Sequence, residues 1–295
     1  MVSPVKIENG NRKSNAREKQ GQDNEKGCNI PDETNIDNEE VSYYDDKLKK
    51  VFVSENGEDK TEILEISVVR KPIVHLKKKL LVLDVNGLLA DIVLRPPKDQ
   101  KPDAKIDGRA IFKRPFYHEF LKFCFQNFEV GVWSSRAKKN VNKVIDYLMG
   151  DMKHKLLFCW DLHHCTVTNF KTLENIHKPL VFKDLRRLWE KNDPDLPWEK
   201  DYYIESNTLL IDDSPYKALL NPQYTAIFPP SFTYENIDDN SLGAGGDIRE
   251  YLEGLAKAEN MKEYVEQRPF GEEAISERSE SWNFYHSVIG SLSSS

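Results

Sequence analysis

The sequence predicts an α/β fold in which helices cover both faces of a central, mainly parallel sheet, giving a three-layer sandwich. Short, largely aliphatic runs such as Leu80–Leu83 and Thr208–Ile211 are typical of strands that are buried on both faces. Segments with apolar residues at helical spacing separate these runs along the chain. Carboxylates directly follow both runs, which indicates strands that end in loops at the same edge of a sheet.

The N-terminal part of the chain has the composition of a disordered tail. The 295 residues are 31% charged and 39% hydrophobic, with a mean hydropathy of -0.64. No aromatic residue occurs between Glu8 and Glu40, so this stretch cannot offset its ordering entropy by burial. We therefore expect a tail at 1–42, a transitional segment at 43–74 with an edge strand near 63–68, a folded domain at 75–265 and a C-terminal extension at 266–295.

Charge and hydropathy argue against two classes of function. With 42 basic and 49 acidic residues the net charge is -7, which disfavours direct nucleic-acid binding by the chain as a whole. No apolar run reaches the roughly 18 residues of a membrane-spanning helix. The N-terminus has neither an apolar signal core nor an acid-poor presequence, so we expect a nuclear or cytoplasmic protein rather than a mitochondrial one.

The first half of the folded domain is expected to contain three strands of the central sheet, a short strand in an insert, and two helices. Leu80–Leu83 is the first strand, and a small Pro-rich insert follows it, ending in a short strand within 104–114. Pro115 is expected to open a helix, because proline suits the first turn. A strand at 128–133 leads to Ser134-Ser135, which we expect to cap the next helix, and a third strand covers 156–160.

The second half continues the alternation. A short amphipathic helix is expected at 183–189, followed by a loop containing Pro and Trp. Thr208–Ile211 forms the fourth strand. Asp247 is expected to cap the last core helix, since Asp is favoured at that position.

Polar side chains stand at the carboxyl ends of three predicted strands: Asp84, Ser134, and the pair Asp212-Asp213. They should converge at one edge of the sheet. Carboxylate oxygens are the ligands that Mg2+ prefers, and Lys183 can neutralise phosphate oxygens. Each residue taken alone has a structural interpretation as a turn former, a helix cap or a solvated lysine. Their order along the alternating elements favours a magnesium-dependent phosphate site.

The ordered motifs resemble those of the RNA polymerase II C-terminal-domain phosphatases, also called NLI-interacting-factor-like, within the haloacid dehalogenase superfamily. The resemblance covers about residues 77–255. The matching stretches are Leu81–Leu89 (LVLDVNGLL), Lys113–Leu121 (KRPFYHEFL), Val130–Ser135 (VGVWSS), His164-Cys165, Val181–Leu188 (VFKDLRRL) and Leu209–Pro215.

The resemblance implies a phosphatase that acts on phosphoserine or phosphothreonine in protein segments, including proline-containing ones. Asp84 would be the nucleophile that becomes an aspartyl phosphate. The implied Mg2+ ligands are Asp84, Asn86 through its backbone carbonyl, Asp212 and Asp213. The implied substrate-binding residues are Ser134, Ser135, Lys183 and Arg114.

The first motif departs from the family pattern Asp-x-Asp-x-Thr, since this chain reads Asp84-Val85-Asn86-Gly87-Leu88. The second Asp of the pattern is the general acid and base, and the Asn86 amide can perform neither role. Losing such a group costs about 10²- to 10⁴-fold in rate. Leu88 replaces a hydroxyl that could position the missing acid. We therefore expect weakened catalysis.

Two hypotheses follow: a weakened Mg2+-dependent phosphatase, and a non-catalytic phosphopeptide or protein-recognition module, such as a translocase-receptor-like protein of the same family. Two further features carry minor alternatives. His163-His164-Cys165 is a weak candidate zinc site, because it lacks a second ligand cluster. The aromatic residues of the insert before the last strand are expected to pack over the sheet or to grip a substrate proline: Trp189, Trp198, Tyr202 and Tyr203.

Overall fold

The structure, a computed structural model, describes residues 78–96 and 98–292, which form ten strands and six α-helices. The strands are β1 (Leu80–Leu83), β2 (Ala90–Val93), β3 (Ala104–Ile106), β4 (Arg109–Lys113), β5 (Glu129–Trp133), β6 (Phe158–Trp160), β7 (Thr166–Lys171), β8 (Pro179–Phe182), β9 (Thr208–Ile211) and β10 (Ala226–Ile227). The helices are α1 (Tyr117–Asn127), α2 (Lys138–Met149), α3 (Arg186–Trp189), α4 (Asp247–Lys257), α5 (Met261–Gln267) and α6 (Trp282–Leu292).

Five strands form the central sheet in the order β10-β9-β1-β5-β6, and every neighbouring pair is parallel. Strand β1 lies in the middle and is buried along its whole length. Leu83 at its carboxyl end is in register with Val132 of β5 and Ile211 of β9. The predicted parallel sheet is confirmed, and the chain segments that follow these three strands start at the same edge.

Apolar side chains pack against both faces of the sheet. Leu81 and Leu83 join a core with residues of α1, α2, α4 and α5, whereas Leu80 and Val82 point to the other face, where α3 packs. This alternation follows from the two-residue period of a strand. The predicted three-layer α/β sandwich is therefore confirmed.

The predicted small insert after the first strand is a three-stranded antiparallel sheet in the order β2-β4-β3. A two-residue turn at Asp107-Gly108 joins β3 to β4, and both residues have positive φ, at 46° and 76°. Asp-Gly is a favoured pair for such a turn, because glycine adopts positive φ without strain.

A hairpin of β7 and β8 was not predicted from the sequence. Strand β8 ends directly before Lys183, so the helix expected at 183–189 covers only Arg186–Trp189. Helix α6, in the segment expected as an extension, packs Tyr285 and Val288 against β8 residues Leu180 and Phe182. The hairpin therefore packs against the C-terminal helix, and the end of β8 positions Lys183.

Three expected helix starts are wrong. Helix α1 begins at Tyr117, after Phe116 with a φ of 62°. Helix α2 begins at Lys138 without a side-chain cap, so Ser134-Ser135 lie too early in the chain to cap it. Asp247 is the first residue of α4 rather than its cap, which is Gly246.

The expected tail, the transitional segment and its edge strand near residues 63–68 lie outside the described residues, as do the first residues of the expected domain. Those boundaries stay predictions. Within the described residues, no helix is long and apolar enough to cross a membrane.

Candidate active site

The candidate site lies at the carboxyl edge of the central sheet, where β1, β5 and β9 end side by side. Asp84 directly follows β1, and its backbone N–H donates to the Ile211 carbonyl over 2.9 Å. Ser134 directly follows β5, and its N–H donates to the Trp160 carbonyl over 2.9 Å. Asp212 directly follows β9. The parallel register thus brings the three predicted polar positions together.

The Asp84 carboxylate is buried and is held by cations on both oxygens. Its Oδ2 accepts a hydrogen bond from Lys217 Nζ at 2.7 Å, and its Oδ1 lies 3.3 Å from Lys183 Nζ. Oδ1 also accepts a bond from the Val85 N–H at 2.8 Å. Burial opposes ionisation, but Lys183 and Lys217 outweigh it and hold the pKa of Asp84 well below its usual range. Asp84 is therefore a carboxylate at neutral pH, as a nucleophile must be.

Lys183 and Lys217 contact the same two carboxylates, those of Asp84 and Asp212. Lys183 Nζ donates to Asp212 Oδ2 at 2.5 Å, and Lys217 Nζ donates to Asp212 Oδ1 at 2.7 Å. Lys217 Nζ is also 3.5 Å from Asp213 Oδ1. Burial opposes a charge on Lys217, yet Asp212 and Asp84 hold the pKa of its ammonium well above its ordinary value. Burial, reinforced by the charge of Asp84, raises the pKa of Asp212.

Asp213 faces the loop that follows β1. Its Oδ1 accepts a bond from Ser214 Oγ at 2.9 Å, and its Oδ2 accepts one from Ser231 Oγ at 2.8 Å. Gly87 stands against Oδ2: a Cβ there would lie 2.0 Å from that oxygen, and the residue has a φ of 81°. Only glycine therefore lets the loop approach the carboxylate so closely.

The three carboxylates are suitable ligands for Mg2+, but the ammonium of Lys217 occupies the position between them. Asp84, Asp212 and Asp213 can each place an oxygen within 4.8 Å of the others, and hard oxygen ligands are those that Mg2+ prefers. The ammonium of Lys217 lies among the same three carboxylates, within 3.5 Å of each. As the side chains stand, the site does not fit an added ion without movement of Lys217.

Asn86 is held by hydrogen bonds that use its amide oxygen as an acceptor. Oδ1 accepts from the Ile92 N–H at 2.9 Å and from Arg136 Nη2 at 3.1 Å. Arg136 Nη2 also donates to the Ile92 carbonyl at 3.1 Å. The group at the acid-base position of the family pattern is thus anchored to β2 and to the loop after β5.

A cavity of about 720 Å³ opens over this edge of the sheet. Asp84, Asn86, Ser134 and Ser135 line it. Its charged lining residues are two carboxylates, Asp84 and Asp213, and four cations, Arg109, Arg136, Lys178 and Lys217. This excess of positive charge favours a dianionic ligand such as a phosphate monoester, although the whole chain is acidic.

Three predicted residues stand apart from the cavity lining: Arg114, Lys183 and Asp212. Lys183 is fully buried behind Asp84 and Asp212 and does not line the cavity. Arg114 is buried in a bidentate pair with Asp239, at 2.9 and 2.8 Å, and reaches the carbonyls of Gly87 and Leu88 at 3.5 and 3.4 Å. Arg114 thus supports the loop after β1 and is not in position to contact a substrate.

The minor alternatives receive no support from the described residues. Within the described residues, one group of three or more His, Cys, Asp or Glu side chains could hold a metal ion, and it consists of Asp84, Asp212 and Asp213. His164 instead stacks on Trp160 with centroids 4.8 Å apart. Trp189, Trp198 and Tyr203 are buried, and none of the insert's aromatic rings lines the cavity. Of the two expected roles, packing over the sheet is observed for Trp189, Trp198 and Tyr203, whereas Tyr202 is exposed.

Sequence reasoning missed Lys217, Arg109 and Arg136. Lys217 follows Asp213 by four residues across a turn of 3-10 helix that Pro215 opens, a spacing that brings the ammonium back to the carboxylates. That spacing was a usable signal. Arg109 lies in the insert sheet and reaches the cavity only through the tertiary fold, so nothing local indicates it.

Known proteins match this chain over the segment that carries the six motifs. Residues 79–262 match the model of the family described as NLI interacting factor-like phosphatase. The chain is 29% identical over 198 residues to an FCP1 homology domain-containing protein of Schizosaccharomyces pombe, covering 65% of this chain and 78% of that protein. It is 27% identical to a probable C-terminal domain small phosphatase of Dictyostelium discoideum, covering 64% of this chain and 54% of that protein.

A solved structure of the fission yeast RNA polymerase II CTD phosphatase Fcp1, bound to beryllium fluoride, is similar at 14% identity and a TM-score of 0.36. The match covers 74% of this chain and 51% of that one. The chain therefore spans about half of the Dictyostelium protein and of the Fcp1 structure. Since the family model matches well over half of the chain, this protein belongs to the NLI interacting factor-like phosphatase family.

Proposed function

We propose that this protein binds phosphoserine or phosphothreonine in a protein segment at the cavity and hydrolyses it slowly through an aspartyl phosphate on Asp84. The observation that carries the proposal is the pairing of an ionised, cation-held Asp84 at the floor of a basic cavity with an amide, Asn86, at the acid-base position. The first feature supports phosphoryl transfer, and the second supports low turnover.

In the first step an Asp84 oxygen attacks phosphorus, and the bond from phosphorus to the serine or threonine oxygen breaks. In this proposal Ser134, which lines the cavity as Asp84 does, donates a hydrogen bond to the phosphoryl group. Lys183 and Lys217 hold Asp84 in its ionised form and offset the negative charge of the incoming dianion. The leaving alkoxide needs a proton, which Asn86 cannot supply.

In the second step water attacks phosphorus of the acyl phosphate, the bond from phosphorus to Asp84 breaks, and inorganic phosphate and one proton are released. A base that removes the proton from this water would accelerate the step, and the Asn86 amide is not a base. The amide at Asn86 would therefore slow both steps, which supports weak phosphatase activity.

Magnesium is the cofactor implied by the family pattern. Asp84, Asp212, Asp213 and the backbone carbonyl of Asn86 are the groups that would hold it, and it would offset charge on the transferring group. The ammonium of Lys217 lies among the same carboxylates and already supplies a positive charge there.

The alternative function is a phosphopeptide-recognition module. The excess of cations on the cavity wall favours it equally, since those groups bind phosphate whether or not the bond to phosphorus breaks. The two functions differ only in whether Asp84 forms a covalent bond.

A turnover assay on a phosphoserine peptide, run with wild type, Asp84→Asn and Asp184→Asn, tests the proposal. Asp184 pairs with Arg186 outside the cavity, so Asp184→Asn is a matched loss of one carboxylate. We expect slow turnover by wild type and by Asp184→Asn and none by Asp84→Asn. Peptide binding without turnover in all three would instead establish the recognition module, and absence of both would refute the proposed site.

A further inference from the structure

The ammonium of Lys217 lies at the centre of the carboxylate cluster. Its Nζ is 2.7 Å from Asp84 Oδ2, 2.7 Å from Asp212 Oδ1 and 3.5 Å from Asp213 Oδ1. These are the same three side chains whose oxygens converge as a potential cation site. A single covalently attached cation thus contacts every carboxylate of that site.

The backbone fixes Lys217 in this position. Its N–H donates to the Ser214 carbonyl at 3.0 Å, and its own carbonyl accepts from the Lys183 N–H at 2.7 Å. The second bond joins the 3-10 turn after β9 to the end of β8 and sets the two lysines side by side. With only 3% of its side chain exposed, Lys217 is packed in place rather than extended into solvent.

The charge of the cluster is nearly balanced without any ion. Three carboxylates face two ammonium groups, so one net negative charge remains when all five groups are ionised. A divalent cation added to this set would leave a net positive charge and would face two ammonium groups at close range. Repulsion between cations at such distances is large in a buried site.

We propose that Lys217 is the resident cation of this site and that Mg2+ binds only by displacing its ammonium from the three carboxylates. The phosphate site then forms on folding without a bound metal ion. A divalent cation competes with the ammonium of Lys217 for the three carboxylates and is not a permanent part of the site. The inference concerns the same residues as the proposed function, but metal binding tests it independently of turnover.

The experiment is a calorimetric titration of the full chain with MgCl2, using wild type, Lys217→Met and Lys178→Met. Lys178 lines the same cavity and lies over the Tyr216 ring, so Lys178→Met removes an equal charge from the wall without touching the cluster. We expect wild type and Lys178→Met to bind Mg2+ with a Kd on the order of millimolar or weaker. Lys217→Met should bind it at least about tenfold more tightly, because one nearby cation is gone.

Thermal melting in EDTA and in Mg2+ provides a second measurement. Lys217→Met leaves three carboxylates against one ammonium, so its melting temperature in EDTA should fall below that of wild type. Mg2+ should raise the melting temperature of Lys217→Met by more than that of wild type, because binding to the native state stabilises it.

Equal Mg2+ affinity in wild type and Lys217→Met would overturn the proposal, as would an equal gain in Lys178→Met. Submillimolar, one-site binding by wild type would overturn it even if Lys217→Met failed to fold. Failure of the phosphatase assay leaves these outcomes unchanged, so the two ideas can be refuted separately.

Discussion

Replacing Asn86 with Asp should restore part of the missing acid-base catalysis, and the structure limits how much. A carboxylate at this position would inherit the contact with Arg136 Nη2, which is 3.1 Å from the present amide oxygen. An adjacent arginine lowers a carboxyl pKa by about 1–3 units from an ordinary value near 3.9. At neutral pH such a group is almost wholly ionised, which suits a base but not an acid.

The two chemical steps should therefore respond differently to Asn86→Asp. A well-placed general acid-base yields about 10²- to 10⁴-fold. On a phosphoserine peptide, where the leaving alkoxide needs a proton, we expect only about a tenfold gain in kcat at pH 7, because little of the new acid is protonated. The gain should increase as the pH is lowered toward 5. An aryl phosphate needs little protonation of its leaving group, so its first step should gain less from the acid.

The effect of Arg136 on the pKa of the new carboxyl group can be measured with a double variant. Removing the guanidinium in Asn86→Asp/Arg136→Met should raise the carboxyl pKa and bring the gain on the phosphoserine peptide above about 10²-fold, relative to Arg136→Met alone. Asn140→Asp is the matched control, since Asn140 lines the same cavity away from the acid-base position. Steady-state kcat measured across pH 5–8 for all five proteins distinguishes these cases. If wild type is as fast as Asn86→Asp, another residue supplies the proton and the reasoning is refuted.

Arg114→Met should destabilise the protein by about 3–5 kcal/mol, because it leaves the buried Asp239 carboxylate without its ion-pair partner. Urea unfolding of Arg114→Met/Asp239→Leu should show that most of this stability is recovered. Leu88→Thr should lower stability by about 2–4 kcal/mol without raising turnover, because Leu88 is fully buried in the core, and a rate gain would contradict this placement. Stability should also depend on pH at both extremes. The lowered pKa of Asp84 gives a contribution present above about pH 4 and lost as the pH falls further. The raised pKa of Lys217 gives one present below about pH 10.4 and lost above it, so urea unfolding of Lys217→Met should lack the alkaline decline.

Buried strands were the part of the fold that the sequence predicted best. Leu80–Leu83 and Thr208–Ile211 were found at their observed bounds, because strands covered on both faces are apolar throughout. The hairpin of β7 and β8 was missed because Thr166–Lys171 carries mostly polar residues and exposes Val167, which resembles a loop. The apolar residues of β8 pack against α6, which begins about 100 residues later in the chain.

The candidate site likewise contains residues whose positions the sequence predicted and residues whose contacts it did not predict. Asp84, Ser134 and Asp212 were placed from their positions after strands, since parallel register alone brings strand ends together. Leu88 was noted because it replaces a hydroxyl of the family pattern, and the pattern did not indicate that its side chain packs in the core. Arg114 was likewise assigned from a motif, and its ion pair with Asp239 is a contact between residues 125 positions apart. Local pattern cannot report contacts of that kind.

Asn86 and Lys217 change the site in the same electrostatic direction. Relative to the Asp-x-Asp pattern, Asn86 removes a negative charge beside the cavity, and in this chain Lys217 places a positive charge against Asp84. Both changes favour a bound phosphate dianion, and an acyl phosphate on Asp84 would remain next to two ammonium groups. The base that would release that phosphate is absent. Under the proposed mechanism, the amide at Asn86 would slow the second chemical step more than it weakens binding. A slow phosphatase and a phosphopeptide-binding protein would then differ only in the rate of that step.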